Sequence, residues 1–170
     1  MYCPAVNNLE ADMADMRKRN KASEGAEGRY DCIKLENQLC FPLYVCSKEI
    51  VRRYKPFLDE MGITYTQYIT MMVLWERGSV NVSQLGECLY LDSGTLTPVL
   101  KTLEAKGLVV RKRSEVDERS VIVEVTEAGM ALREQAVTVP PRMGACVNLS
   151  QEDAVELYRI LHKLIENIGK

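Results

Sequence analysis

Between residues 89 and 126 the hydrophobic rhythm of the chain changes, and that change restricts the fold more than any other feature. LDSGTLTPVLKTLEAKG sets Leu96, Val99, Leu100 and Leu103 at helical spacing. Asp92 or Ser93 can cap this helix and Gly107 can end it. Directly afterwards LVVRKRS and RSVIVEVT carry β-branched residues two apart, the spacing of strands, around the polar turn SEVDE. A β-hairpin therefore follows immediately on a helix. Pro98 sits awkwardly near the end of that helix's first turn, but Gly94, four residues back, has no side chain to crowd the ring.

The flanking text is helical. From Pro42 to about Asp59, Leu43, Ile50, Tyr54 and Leu58 recur at helical spacing. Proline is best tolerated in a first turn, which puts Cys40 at or just before the helix start. In ITYTQYITMMVLWERG, Thr64 and Gln67 form a capping box and Gly78 is a natural stop. VSQLGECLYL gives a short helix with Leu85, Cys88 and Leu89 on one side. After the hairpin, Thr126 caps EAGMALREQAV, VPPRMGAC reads as a break, and LSQEDAVELYRILHKLIENIG reads as a long helix with Ser150 and Asp153 as its capping pair.

Helix, short helix, helix, hairpin is the order of a winged helix-turn-helix, so the expected class is mainly α with a small β-hairpin wing. In that architecture one helix enters the major groove of DNA and the hairpin reaches an adjacent minor groove. Residues 1–33 are polar and poor in aromatics, and read as an arm, flexible or part-helical. Residues 34–170 read as the domain, with the winged helix-turn-helix at about 62–126 and dimerisation helices at about 42–60 and 127–170. The outer helices carry too many apolar residues to stand alone: Leu43, Tyr44 and Ile50 at one end, Leu157, Ile160, Leu161, Leu164 and Ile168 at the other. A symmetric homodimer is the economical way to cover them.

Composition narrows the function classes. Apolar runs fall short of the roughly 18 residues that a membrane span needs, and the N-terminus lacks the apolar stretch of a signal peptide, so a cytoplasmic protein without membrane partners is expected. In a reducing cytosol, six cysteines speak for thiol chemistry or simple burial more than for a disulfide framework. CxxC is missing and His162 is the single histidine, so a zinc site would need scattered ligands; neither metal nor cofactor is expected. Cys46 is six residues from Cys40, about 240° around a helix, and faces away from it. Cys88, Trp75 and the Met71–Met72 pair read as core, and His162 as a helix-surface or packing residue.

The net charge of −2 argues against a globally basic nucleic-acid binder, but charge is segregated. Residues 95–115 hold five basic against two acidic side chains, a local +3 that leaves −5 for the rest. The start of the third helix offers Asp92, Ser93, Thr95 and Thr97, small hydrogen-bonding groups suited to phosphates and base edges, with Lys101 further along. Arg111, Lys112 and Arg113 lead into the hairpin, and Arg119 follows its tip, where an arginine suits a narrow minor groove. Each feature alone also fits a capped helix and a solvated turn; the combination favours DNA.

Three strings, LENQLCFPLY, YKPFLDEMGITYTQY and LYLDSGTLTPVLKTLEAKGLVVRKRSEVDERSV, resemble the MarR family of winged-helix repressors, and within it the organic-hydroperoxide sensors called OhrR. DERSVIVEVTEAG fits the family's wing, with Asp117 and Arg119 as the hairpin pair. The resemblance covers about Leu35 to Ile168 and leaves the arm out. It implies a homodimeric, non-enzymatic repressor of a peroxide-detoxifying gene, bound to double-stranded, pseudo-palindromic operator DNA. Cys40 matches the cysteine that organic hydroperoxide oxidises, and Tyr44, Tyr54 and Tyr65 match the supporting tyrosines.

The chemistry of such a site is sound. A thiolate is the nucleophile that attacks a peroxide. A helix N-terminus carries roughly half a positive charge and favours an anion, and tyrosine hydroxyls donating to sulfur act in the same direction. Apolar Leu39, Phe41 and Leu43 would oppose the anion by desolvation, and would also favour a greasy organic hydroperoxide over hydrogen peroxide. Oxidation gives a sulfenic acid that condenses with a second thiol. Cys146 lies near, though not on, the position of the family's resolving cysteine; otherwise the partner is a low-molecular-weight thiol. The rival readings are a MarR-type repressor released by a small aromatic or phenolic ligand, a thiol peroxidase, and an interaction module.

Overall fold

The computed structural model describes residues 28–114 and 120–169. These divide into two units, one up to Glu49 and one from Ile50 onward. In the first, two short 3₁₀ helices, Gly28–Ile33 and Leu35–Asn37, are closed by side chains. Asn37 Nδ2 donates to the Asp31 carbonyl at 2.8 Å, and Gln38 Nε2 donates to the carbonyls of Cys32 (2.6 Å) and Lys34 (3.1 Å). Helix α1, Cys40–Glu60, begins here, with Pro42 in its first turn and Pro56 inside it.

The second unit contains α2 (Tyr65–Arg77), β1 (Ser79–Asn81), α3 (Val82–Leu89), α4 (Ser93–Ala105), β2 (Val109–Arg113), β3 (Val121–Val125), α5 (Glu127–Ala136), α6 (Val139–Val147) and α7 (Gln151–Ile168). Local chemistry sets the helix starts. Thr64 accepts from the Gln67 N–H while Gln67 accepts from the Thr64 N–H, the reciprocal capping box at α2. Asn81, Asp92, Thr126 and Ser150 each accept a backbone N–H at the start of α3, α4, α5 and α7. At the end of α4, Leu108 N–H bonds the Leu103 carbonyl and Gly107 N–H bonds the Glu104 carbonyl, the Schellman pair, with Gly107 at φ +72°.

The sheet is antiparallel in the order β1-β3-β2, with Val80 and Arg111 on either side of Val123. Its inner face (Val80, Val109, Val123) packs on Leu74, Leu85, Leu96, Leu100 and Leu103 in one buried cluster. Burying each such leucine or valine is worth about 1.5–3 kcal/mol, so this cluster sets α4 and the wing in one frame. Trp75 reinforces it: its indole Nε1 donates to the Gly129 carbonyl of α5 at 2.8 Å.

Three expectations need correction. VPPRMGAC is not a break but most of α6, because Pro140 and Pro141 stand in the first turn, where a missing N–H costs nothing. A third strand, β1, joins the hairpin; three residues are too few to show a period of two. Met72 is 47% exposed although its neighbour Met71 is fully buried, since the core covers only one side of α2. Trp75 is buried, Cys88 half-buried, and His162 stacks on Tyr158 with centroids 4.1 Å apart.

The terminal helices expose apolar side chains. In α7, Val155, Leu157, Tyr158, Ile160, Ile165 and Ile168 are all exposed, and this helix buries no residue. In the first half of α1, Phe41, Leu43, Tyr44 and Val45 are exposed.

Candidate redox site and nucleic-acid interface

Cys40 is the first residue of α1 and is exposed, where an incoming peroxide can reach its sulfur. Tyr44, one turn on, is also exposed. The other two expected tyrosines lie in the second unit, where the structure brings them together. The Tyr54 and Tyr65 rings stand 4.9 Å apart. A third ring, which the sequence reading missed, completes the group: Tyr68 lies 6.0 Å from Tyr54 and 6.3 Å edge-on from Trp75. The signal was available, because Tyr65 and Tyr68 are three apart in α2 and share a face. Burial, and after it the neighbouring Tyr65 ring, pushes the Tyr54 hydroxyl above its ordinary range. Burial does the same for Tyr68, with Tyr54 and Tyr65 adding to it. Both hydroxyls therefore stay protonated at neutral pH and are available as donors. Cys146 sits half-buried near the end of α6.

Arg142 of α6 grips Glu60, the last residue of α1. Its two terminal nitrogens donate to the two Glu60 carboxylate oxygens at 2.9 and 2.8 Å, and its guanidinium lies 4.2 Å over the Phe57 ring. The hydrogen bonds from Arg142 hold the Glu60 carboxyl below the usual carboxylate range.

Helix α4 opens on a polar surface. Asp92 caps it, accepting from the Thr95 N–H at 2.8 Å and the Thr95 hydroxyl at 3.1 Å, and these bonds hold its carboxyl low. The Thr97 hydroxyl donates to the Ser93 carbonyl at 2.6 Å. Ser93, Thr95 and Lys101 are exposed. Of the strand residues, Arg111 binds Glu104 through Nε at 3.0 Å and Lys112 binds Glu124 at 2.7 Å, while Arg113 is exposed. Asp117 and Arg119 lie outside the described residues. A cavity of about 260 Å³ opens between α3, α4 and the wing, lined in part by Asn81, Ser83, Thr97, Leu100 and Arg111. Among the described residues, acidic, histidine and cysteine side chains do not gather into a metal-binding group.

Three helices carrying a polar, capped end beside a short antiparallel wing define a winged helix-turn-helix regulator. The family model for the transcriptional regulator SarA/Rot matches residues 52–135. An organic hydroperoxide resistance transcriptional regulator of Bacillus subtilis is 49% identical over 142 residues, covering 84% of this chain and 97% of its own length. SarZ, an HTH-type transcriptional regulator of Staphylococcus aureus, is 40% identical over 131 residues, 77% of this chain and 88% of that one. Among solved structures, reduced AbfR bound to DNA superposes with a TM-score of 0.68 at 32% identity, covering 84% of this chain and 99% of that one. The chain belongs to the MarR family of winged-helix regulators, in its OhrR branch.

Proposed function

We propose that this protein is a homodimeric transcriptional repressor whose grip on operator DNA is released when an organic hydroperoxide oxidises Cys40. The observation that carries the reading is an exposed thiol at the first residue of a 21-residue helix, in a chain whose second unit holds a tyrosine cluster and a winged DNA-reading module. The Cys40 thiolate attacks one peroxide oxygen. The O–O bond breaks, the alcohol leaves after taking a proton, and the sulfur keeps the oxygen as a sulfenic acid. Condensation with a second thiol, Cys146 of the partner protomer or a low-molecular-weight thiol, then forms a disulfide and releases water. Hydroxyls of Tyr44, Tyr54 and Tyr65 stabilise the anion by donating to it.

Ser93, Thr95, Thr97 and Lys101 at the head of α4, with Arg113 and the wing residues Asp117 and Arg119, are the proposed DNA contacts. Asp92 serves by capping that helix. Arg111 and Lys112, assigned to DNA from the sequence, meet it only by exchanging the carboxylates they already hold. The exposed apolar faces of α1 and α7 supply the dimer contact, and the regulator works in the cytoplasm without catalytic turnover. The rival reading, release by a small aromatic acid, would use the cavity beside the wing, but the guanidinium there is already paired with Glu104.

A gel-shift on the DNA upstream of the protein's own gene tests the proposal. The reduced protein retards the fragment, stoichiometric cumene hydroperoxide releases it, and Cys40→Ser binds equally well but stays bound. Release of Cys40→Ser by the oxidant would refute it.

A further inference from the structure

One basic side chain stands just past α4, at the end opposite its DNA-reading start. Lys106 is the C-cap of α4, and the Schellman turn around Gly107 fixes its direction. Its ammonium reaches across the domain to the turn between α1 and α2. There it donates to the Gly62 carbonyl at 2.5 Å and to the Gln67 Oε1 at 3.0 Å. Gln67 is 5% exposed, and the same Oε1 accepts the Thr64 N–H at 3.1 Å. That bond is half of the capping box immediately before Tyr65, the first residue of α2. A single cation thus joins the end of the DNA-reading helix to the peptide turn that positions a tyrosine of the proposed redox site. In that turn Gly62 holds φ +65°, a left-handed conformation that glycine adopts without strain.

We infer that Lys106 is a positioning residue for the switch, carrying displacement of the Tyr65 turn to α4. The inference rests on the redox reading above. When the sulfur is oxidised and the tyrosines lose their anionic acceptor, Tyr65 and its turn move. Lys106 then either drags the C-terminal end of α4 with it or lets go. Because α4 is a continuous helix of 13 residues, about 20 Å long, displacement at one end misplaces Ser93 and Thr95 at the other.

Lys106→Met tests this, because it keeps the aliphatic stem and removes the donors at an exposed position. Operator dissociation constants are measured for reduced and hydroperoxide-treated protein, and the rate of Cys40 oxidation is followed by loss of titratable thiol in a background with the other cysteines replaced by serine. The expected result is an unchanged oxidation rate and a ratio of oxidised to reduced dissociation constants that falls about tenfold relative to the parent. Lys106→Arg, which can still donate to both oxygens, should restore most of that ratio. Taking the ratio removes any simple loss of stability or of phosphate contact, which would weaken both forms alike. A Lys106→Met ratio equal to the parent's overturns the inference and leaves the redox reading standing. A parent that is not released by hydroperoxide, or a Cys40→Ser protein that is, overturns both.

Discussion

Gly129 and Gly144 both lie inside helices, yet replacing each with alanine should move stability in opposite directions. A Cβ at Gly129 would stand 2.1 Å from the Leu108 carbonyl oxygen and 2.8 Å from the Val125 Cγ2. Leu108 cannot yield cheaply, since its carbonyl accepts the Thr126 N–H at 3.1 Å where α5 leaves the wing. Overpacking costs about 1–3 kcal/mol and the strained hydrogen bond about 1 kcal/mol more. The intrinsic preference of a helix for alanine over glycine returns about 1 kcal/mol. Gly129→Ala should therefore lose about 1–3 kcal/mol net. At Gly144 an added Cβ meets nothing within 4 Å, so only the propensity gain of about 1 kcal/mol remains. For a domain of this size, thermal unfolding should fall by about 2–12 °C in the first variant and rise by about 2–4 °C in the second. Differential scanning calorimetry at one fixed protein concentration measures both, because a dimer's midpoint depends on concentration. Equal shifts of the same sign would show that the close approach of α5 to the wing root is not as tight as described.

Other perturbations probe other contacts. Trp75→Phe removes the indole N–H that reaches the Gly129 carbonyl, together with the five-membered ring, and should cost about 1–3 kcal/mol in urea unfolding; an unchanged midpoint would deny that contact any weight. Glu60 and Glu104 both have carboxyls lowered in the fold by hydrogen bonds from Arg142 and Arg111, so their stabilisation is present above the ordinary glutamate range and is lost as pH falls through the folded values. A Glu60→Gln, Glu104→Gln double variant should accordingly show a flatter decline of its urea midpoint on acidification than the parent, and identical slopes would contradict this. On non-reducing gels, oxidation by cumene hydroperoxide should give a dimer-sized band that Cys146→Ser abolishes. Persistence of the band in that variant, or its absence in the parent, would remove Cys146 from the disulfide.

What the sequence disclosed was chemistry confined to a few neighbouring residues. Thr64 with Gln67, Thr126, and Ser150 with Asp153 mark helix starts because a cap and its acceptor lie within three positions. The change of period at Leu108 likewise located the wing. What stayed hidden depends on partners far along the chain. Strand β1 exists because Ser79–Asn81 finds β3, more than 40 residues away, and three residues carry no pattern of their own. Arg111 and Lys112 looked free for DNA because their carboxylate partners, Glu104 and Glu124, are assigned only once β2 is laid between α4 and β3. Tyr54 and Tyr65 were named through the family resemblance, whereas Tyr68 follows from where α2 sits against the end of α1. For α6 the lesson is positional, since the same Pro-Pro pair would have broken a helix interior and here stands in a first turn.

The prior commitment of Arg111, Lys112 and Lys106 to acceptors in the protein bears on how an operator complex would respond to ionic strength. Each phosphate neutralised by a lysine or arginine contributes about −0.9 to the logarithmic dependence of affinity on salt. Within residues 95–114, Lys101 and Arg113 are the basic side chains outside those pairs, two per protomer where the sequence counts five. For a dimer these four cations give a slope of about −3.6 where ten would give about −9, so a doubling of salt should loosen their share of the operator grip about twelvefold and not several-hundredfold.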